Sequence, residues 1–263
     1  MDLGVAGRVA LISGGSDGLG YATAQALARE GVRVALNGRD GSRLDAAVAK
    51  LRAETGAEVA GLPGDVSVRA DAEALVHSAA AAMGTVDILL CNAAGPGPGP
   101  FLQHSPDDWQ EALDLNLLSA VNLSRAALPA MRERRWGRIL CVGSIAAKQP
   151  HAGLILSTAA RAGLLGFAKA LSDEVAPDGI TVNVLCPGLI ATARLRSLAE
   201  KRAAASGGTA ESAMAENAAS VPMHRVGQPA EFGAVAAFLA SELASYVTGT
   251  ALSIDGGLHR SIL

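Results

Sequence analysis

The residues SGGSDGLG, 13–20, stand between a short apolar run and a stretch of helical pattern. Gly14, Gly18 and Gly20 have the spacing G-x-x-x-G-x-G. Glycine permits a tight turn and lets a pyrophosphate approach the backbone. The helix that follows presents free N–H groups and the positive end of its dipole. An ordinary glycine turn uses the same residues, but a position directly after the first apolar run favours a dinucleotide. Gly14, Ser16, Asp17, Gly18, Leu19 and Gly20 are therefore candidate cofactor contacts. A second chemical group lies downstream, where Lys148 and His151 follow the run RILCVG. A desolvated lysine can titrate near neutrality, and histidine does so unaided. Both are acid–base candidates, and a solvated loop is the alternative for each.

Cofactor choice is written at the end of the second apolar run, VALNGRD. An acid there would grip the adenosine ribose hydroxyls. The chain instead has Asn37-Gly38 followed by Arg39. A guanidinium suits a 2′-phosphate through paired, charge-assisted hydrogen bonds, which favours NADP(H) over NAD(H). Asp17 counts against it by placing like charge near the phosphates, and Arg39 could be only a solvated surface charge. Asp65, beside Val66 in GDVS, could accept from the adenine amino group or cap the next helix.

These residues need a frame. RVALIS (8–13), RVALNG (33–38), EVAGLP (58–63), VDILLC (86–91), RILCVG (138–143), TVNVLC (181–186) and ALSID (251–255) are short and rich in Val and Ile. That favours strands, and their near-continuous apolarity favours burial on both faces. Helical patterns such as YATAQALARE and SRLDAAVAKLRAE alternate with them. The expectation is α/β: a single Rossmann-type, doubly wound parallel sheet of about seven strands, forming one domain over 1–263. Ligands of such sheets bind beyond the carboxyl ends of the strands. GPGPGP (95–100) predicts a loop over the cleft. The Ala- and charge-rich residues 191–225 predict a mobile helical lid.

Composition narrows the classes. Half of the 263 residues are apolar and only 3% aromatic, which suits close-packed helices on a sheet. The net charge of −3 is scattered, with no basic stripe for nucleic acid. No apolar run approaches the roughly 18 residues of a membrane span, and the start lacks signal-peptide character. Cys91, Cys141 and Cys186 cannot all pair and match no zinc spacing, so no metal is expected. Buried thiols in a reducing cytoplasm are expected instead.

Taken in order, SGGSDGLG, GDV (64–66), NAAG (92–95), LNLLSAVNLSRAALPAM (115–131), GRILCVGSIAA (137–147), ITVNVLCPGLIAT (180–192) and YVTGTALSIDGG (246–257) resemble the short-chain dehydrogenase/reductase family. The resemblance is strongest to its beta-ketoacyl-carrier-protein-reductase-like members and covers nearly the whole chain. It implies that Asn92, Ala93 and Gly95 line the adenosine side. It implies that Asn116 holds a relay water, that Ser144 hydrogen-bonds a substrate carbonyl, and that Pro187, Gly188, Ile190 and Thr192 hold the nicotinamide carboxamide. A helix kink for Asn116 and a strand-end cap for Ser144 are the structural alternatives. The resemblance also implies a homotetramer or homodimer joined near 106–133, 154–176 and the last strand, acting on a small molecule.

One segment departs from the family pattern. In GLILSTAARAG (153–163) the family places a tyrosine and, four residues on, a lysine; this chain has Ser157 and Arg161. An i, i+4 pair shares one helix face, so the geometry survives. A serine hydroxyl is shorter and far less acidic than a phenol. Arginine stays charged and shuttles protons poorly, though it can hold ribose hydroxyls. Tyr21 and Tyr246 lie in segments expected to be structural. Lys148, His151 or a water ordered by Ser144, Ser157 and Asn116 remain as proton sources. Three functions follow from the sequence: an atypical reductase of a carbonyl or other activated double bond; a non-catalytic dinucleotide sensor or scaffold; and a non-redox elimination or isomerisation.

Overall fold

The seven Val- and Ile-rich runs form seven strands, and every pairing between them is parallel. The computed structural model describes residues 2–261; Met1, Ile262 and Leu263 of the expected 1–263 unit lie outside them. In chain order the elements are β1 (Val9–Ile12), α1 (Gly18–Arg29), β2 (Arg33–Gly38), α2 (Gly41–Thr55), β3 (Val59–Pro63), α3 (Arg69–Met83), β4 (Ile88–Cys91), α4 (Pro106–Leu113), α5 (Ser119–Arg134), β5 (Gly137–Val142), α6 (Ile155–Val175), β6 (Ile180–Pro187), α7 (Ala193–Ser206), α8 (Ala210–Ser220), α9 (Pro229–Leu239) and β7 (Ala251–Ile254). The sheet order is β3-β2-β1-β4-β5-β6-β7. Chain order reverses between β1 and β4, which opens a crevice at their carboxyl ends.

Two cores explain why the runs are apolar throughout. Leu11, Leu89 and Ile139 face α3, α5 and α6, while Ile12, Leu36 and Leu90 face α1, α2 and α9. Each such buried side chain contributes roughly 1.5–3 kcal/mol. Close packing sets the sequence locally as well. A Cβ at Gly233 in α9 would lie 2.4 Å from the Ala22 carbonyl of α1, so only glycine lets these helices meet.

Three local features position the site. Between α4 and α5, residues Asp114–Leu118 form one π-turn that holds Asn116. Such turns inside helices frequently mark functional positions. Residues 191–225, expected as a lid, fold mostly into α7 and α8. The glycine–proline loop runs over the cleft and is tied down at Gly99, whose N–H donates to the Gly153 carbonyl at 2.9 Å. Among the described residues no helix is long and apolar enough to cross a membrane.

Candidate active site

A cleft of ≈ 1010 Å³ follows the carboxyl ends of the strands. That is at the upper end of ligand-pocket volumes. Gly14, Ser16, Asp17, Gly18 and Leu19 line it. Gly14 and Gly18 have φ of +56° and +57°, a conformation that side chains disfavour. Asp17 caps α1, its Oδ1 accepting from the Gly18 N–H at 2.7 Å. Gly20 does not line the cleft. A Cβ there would sit 2.3 Å from the Gly14 carbonyl, so it allows the turn to fold back on α1 rather than meeting a ligand. Asn92 clamps the opening between β1 and β4: its Nδ2 donates to the Ser13 and Gly14 carbonyls at 3.2 and 3.0 Å.

At the β2 end, Arg39 and Arg43 both line the cleft, with side chains 64% exposed. Arg39 pairs with Asp65 at 3.4 Å, and Arg43 with Asp17 at 3.6 Å. The Ser16 hydroxyl lies 3.3 Å from where a Gly38 Cβ would be, so it joins this cluster. Asp65 also accepts from the Ser67 N–H and hydroxyl, at 3.0 and 2.7 Å. These bonds hold its carboxyl below the usual range despite burial, which raises it. Capping of α3 by Asp65 does not occur. The cap position is Val68, without a side-chain bond, and Asp65 closes the preceding turn. Val66 and Ala93 also line the cleft, as does Gly95, but Gly95 lies beside Arg161 and Arg194 at the β5–β6 end rather than on the adenosine side that the resemblance implies. Arg43 was not anticipated; its signal was a place one helical turn after Arg39.

At the β5–β6 end, Ser144, Ser157, Arg161 and His151 line the same cleft. The Ser144 Oγ accepts from the Ala146 N–H at 3.1 Å. The Ser157 Oγ accepts from Arg161 Nη1 at 2.7 Å. A serine oxygen has one donor and two acceptor positions, so both hydroxyl hydrogens stay available to a ligand. Arg161 is only 8% exposed, and its Nε has no partner among the described residues. Burial pushes its pKa down to about 10, aided by the like charge of Arg194. It remains ionised at neutral pH. Asn116 is buried and does not line the cleft, and its Nδ2 has no partner among the described residues, which counts against the fully satisfied helix-kink alternative.

Lys148 is the correction at this end. Its ammonium does not enter the cleft; it donates to the Ala251 carbonyl at 3.1 Å and the Ser253 hydroxyl at 3.4 Å, on β7. The lysine follows the short 3-10 turn Ile145–Ala147 after β5, and its side chain reaches β7, two strands over in the sheet. Neither tyrosine reaches the cleft. Tyr21 bonds Glu54 at 2.9 Å, and Tyr246 is fully exposed.

The segment after β6 closes the cleft. Pro187, Gly188, Ile190 and Thr192 line it. A Gly188 Cβ would meet Asp255 at 2.6 Å, so glycine is required beside β7. Thr192 caps α7 and lies over Gly18. Sequence reasoning missed Arg194, two residues on. Its guanidinium donates to the Gly95 and Pro96 carbonyls at 2.9 and 3.1 Å, joining α7 to the glycine–proline loop. Among the described residues no group of side chains could hold a metal ion.

The parallel sheet, reversed at β1/β4 with a glycine cradle behind it, defines a Rossmann-type dinucleotide-fold protein. A family model described as Enoyl-(Acyl carrier protein) reductase matches residues 14–259. The chain belongs to this short-chain dehydrogenase/reductase family. It is 36% identical to 3-oxoacyl-acyl-carrier-protein reductase FabG of Salmonella typhimurium over 255 residues, 96% of this chain and 98% of that one. It is 38% identical to a monensin polyketide synthase putative ketoacyl reductase of Streptomyces virginiae, covering 95% and 97%. Among solved structures, the L-sorbose reductase of Gluconobacter frateurii, complexed with NADPH and L-sorbose, superposes with a TM-score of 0.96 at 33% identity over all of both chains.

Proposed function

We propose that this chain is an NADP(H)-dependent reductase of a carbonyl, or of another activated double bond, with a proton relay unlike its family's. The observation that carries the reading is the Ser157–Arg161 bond inside the cleft that the glycine cradle opens. The residues present fit a nicotinamide dinucleotide. The positive-φ glycines leave room for its pyrophosphate, the N-terminus of α1 faces it, and Ser16, Arg39 and Arg43 gather where a 2′-phosphate would lie. Arg39 and the NADPH of the sorbose reductase structure favour NADP(H) over NAD(H).

Bound NADPH supplies hydride. The chain holds the acceptor oxygen: Ser144 and Ser157 each offer a free hydroxyl hydrogen, and Arg161 polarises Ser157 from behind. Two donors and a fixed cation aimed at a developing alkoxide are an oxyanion hole in function. Neither serine nor arginine releases a proton readily at neutral pH. The proton comes from water held between these hydroxyls and the unpartnered Asn116 Nδ2. Residues 191–225 act as the lid, with Arg194 as its latch. The protein works in a reducing cytoplasm, consistent with three buried free thiols. It self-associates as a homotetramer or homodimer through faces that carry the exposed Leu102, Tyr246 and Leu252.

A second reading, a non-catalytic dinucleotide sensor, draws on the absence of any phenol from the cleft. Elimination or isomerisation loses Lys148 as its base. Calorimetric titration with NADPH and NADH, followed by NADPH oxidation with ketones, enones and imines, tests the proposal. Tight NADPH binding with turnover that falls in Ser144→Ala and Ser157→Ala is expected. Tight binding with no turnover by any substrate selects the sensor.

A further inference from the structure

We propose that the β5–β6 end of the cleft is a subsite for a carboxylate carried by the substrate next to its reacting carbonyl, so that the preferred substrates are short oxo acids. The inference rests on the reductase reading and deepens it. Two guanidinium groups converge on Gly95. A Cβ built there would lie 2.7 Å from Arg194 Nη2 and 3.4 Å from Arg161 Nη2. No carboxylate among the described residues lies within ion-pair distance of either, and the like charge of Arg194 acts on Arg161. The acids that line the cleft, Asp17, Asp40 and Asp65, all belong to its β2 end. Among the described residues, His151 is the only other titratable side chain that lines the reaction end.

A buried, unpaired guanidinium is costly, and a neighbouring like charge makes it costlier. Neutral ribose hydroxyls would satisfy N–H groups but would leave the charge. A carboxylate would do both, because its two oxygens match the planar fork of arginine. Contiguity fixes where that carboxylate must be. Ser157, the hydroxyl assigned to the carbonyl, is itself bonded to Arg161. The anionic group must therefore sit within one or two bonds of the carbonyl, as in 2-oxo and 3-oxo acids. Arg194, exposed and reached from the lid, would close on it after entry. The rival source of negative charge is the cofactor's pyrophosphate, since Thr192 near Arg194 overlies the cradle.

The test compares kcat/KM for 2-oxobutanoate and 3-oxobutanoate with that for their neutral ethyl esters, alongside NADPH affinity by calorimetry. The acids are expected to exceed the esters by about tenfold or more, the scale of a charge-assisted hydrogen bond. Arg194→Ala should bring that ratio to within about twofold of unity with NADPH affinity retained. Arg194→Gln, which keeps a donor toward Gly95 and Pro96, should lose the ratio equally. Esters turned over as well as acids overturn the subsite and leave the reductase standing. An Arg194→Ala protein that loses NADPH affinity assigns the cation to the cofactor and likewise overturns it. If nothing turns over, oxamate titrated into the enzyme–NADPH complex decides. Binding lost in Arg194→Ala upholds the subsite without the reductase, and no binding ends it.

Discussion

Arg39 and Arg43, at the β2 end of the cleft, each sit beside a carboxylate, whereas Arg161 and Arg194, at the β5–β6 end, sit beside each other. The first pair is exposed, with partners at 3.4 and 3.6 Å. Such surface ion pairs contribute about 0–1 kcal/mol and hold side chains in place without strain. Arg161 is buried with a free Nε and a like charge for company. The difference separates a surface whose charges are already balanced from a site kept charged at the fold's expense. Unpaired charge of this kind persists in proteins where a ligand completes it.

Removing the unpaired charge gives the largest expected effect, and its two readouts move in opposite directions. Arg161→Met should lower kcat/KM by about 10²–10³-fold, because it strips both the cation and the support of Ser157. The same variant should melt higher than the wild type when no ligand is present. Burial on folding pulls the Arg161 pKa well below the ordinary arginine range, to about 10. A displacement of that size corresponds to roughly 3 kcal/mol of penalty. The sign follows from linkage: the penalty is present in full below about pH 10 and is relieved only as pH rises above that value. At neutral pH the methionine variant therefore escapes all of it. A thermal scan that found Arg161→Met less stable than the wild type would break the contrast between the two ends.

The serines come next. Ser144→Ala and Ser157→Ala should each reduce kcat by about 10–100-fold, with smaller changes in KM. If Ser157 conveys the field of Arg161, the two losses cannot add. Ser157→Ala placed in the Arg161→Met background should then cost little more. Additive losses would mean that the serine and the arginine act on different atoms of the substrate.

How much of this was legible in the sequence also differs between the two ends. All seven strands, and the place of the glycine turn, Arg39 and Asp65 along the cleft, were readable, because strand hydrophobicity, glycine spacing and position after a strand are local signals. The direction of Lys148 was not. It depends on a 3-10 turn after Ser144 and on acceptors in β7, more than a hundred residues away. Arg194 was hidden for a related reason. It meets Gly95 and Pro96 only when α7 folds back over the loop, and no periodicity encodes that approach. The place where Ser157 and Arg161 depart from the family was visible at once. That they bond each other, leaving the serine hydrogen free, needed the structure.

The paired end offers smaller and more graded effects. Arg39→Ala should weaken NADPH binding by about tenfold and leave NADH binding nearly unchanged, since only a 2′-phosphate engages the guanidinium. Equal weakening of both nucleotides would return Arg39 to the role of a surface partner for Asp65. Calorimetry with the two nucleotides separates these outcomes.

Asp17 gives the smallest effect and the sharpest test of what pairing means here. The sequence alone sets its carboxylate against the phosphates. In the structure it does two other things: it caps α1 at the Gly18 N–H and balances Arg43. Asn is as good a cap as Asp, so Asp17→Asn keeps the helix start while removing the charge. Arg43 is then released toward the cofactor, and one negative charge leaves the neighbourhood of the pyrophosphate. Both changes should tighten NADPH, by about two- to threefold at low ionic strength, because the groups are exposed. Added salt should erase the gain. If NADPH binding instead weakens in Asp17→Asn at every salt concentration, the ion pair holds Arg43 in its working position. Pairing at this end would then be preorganisation for the ligand rather than mere neutrality.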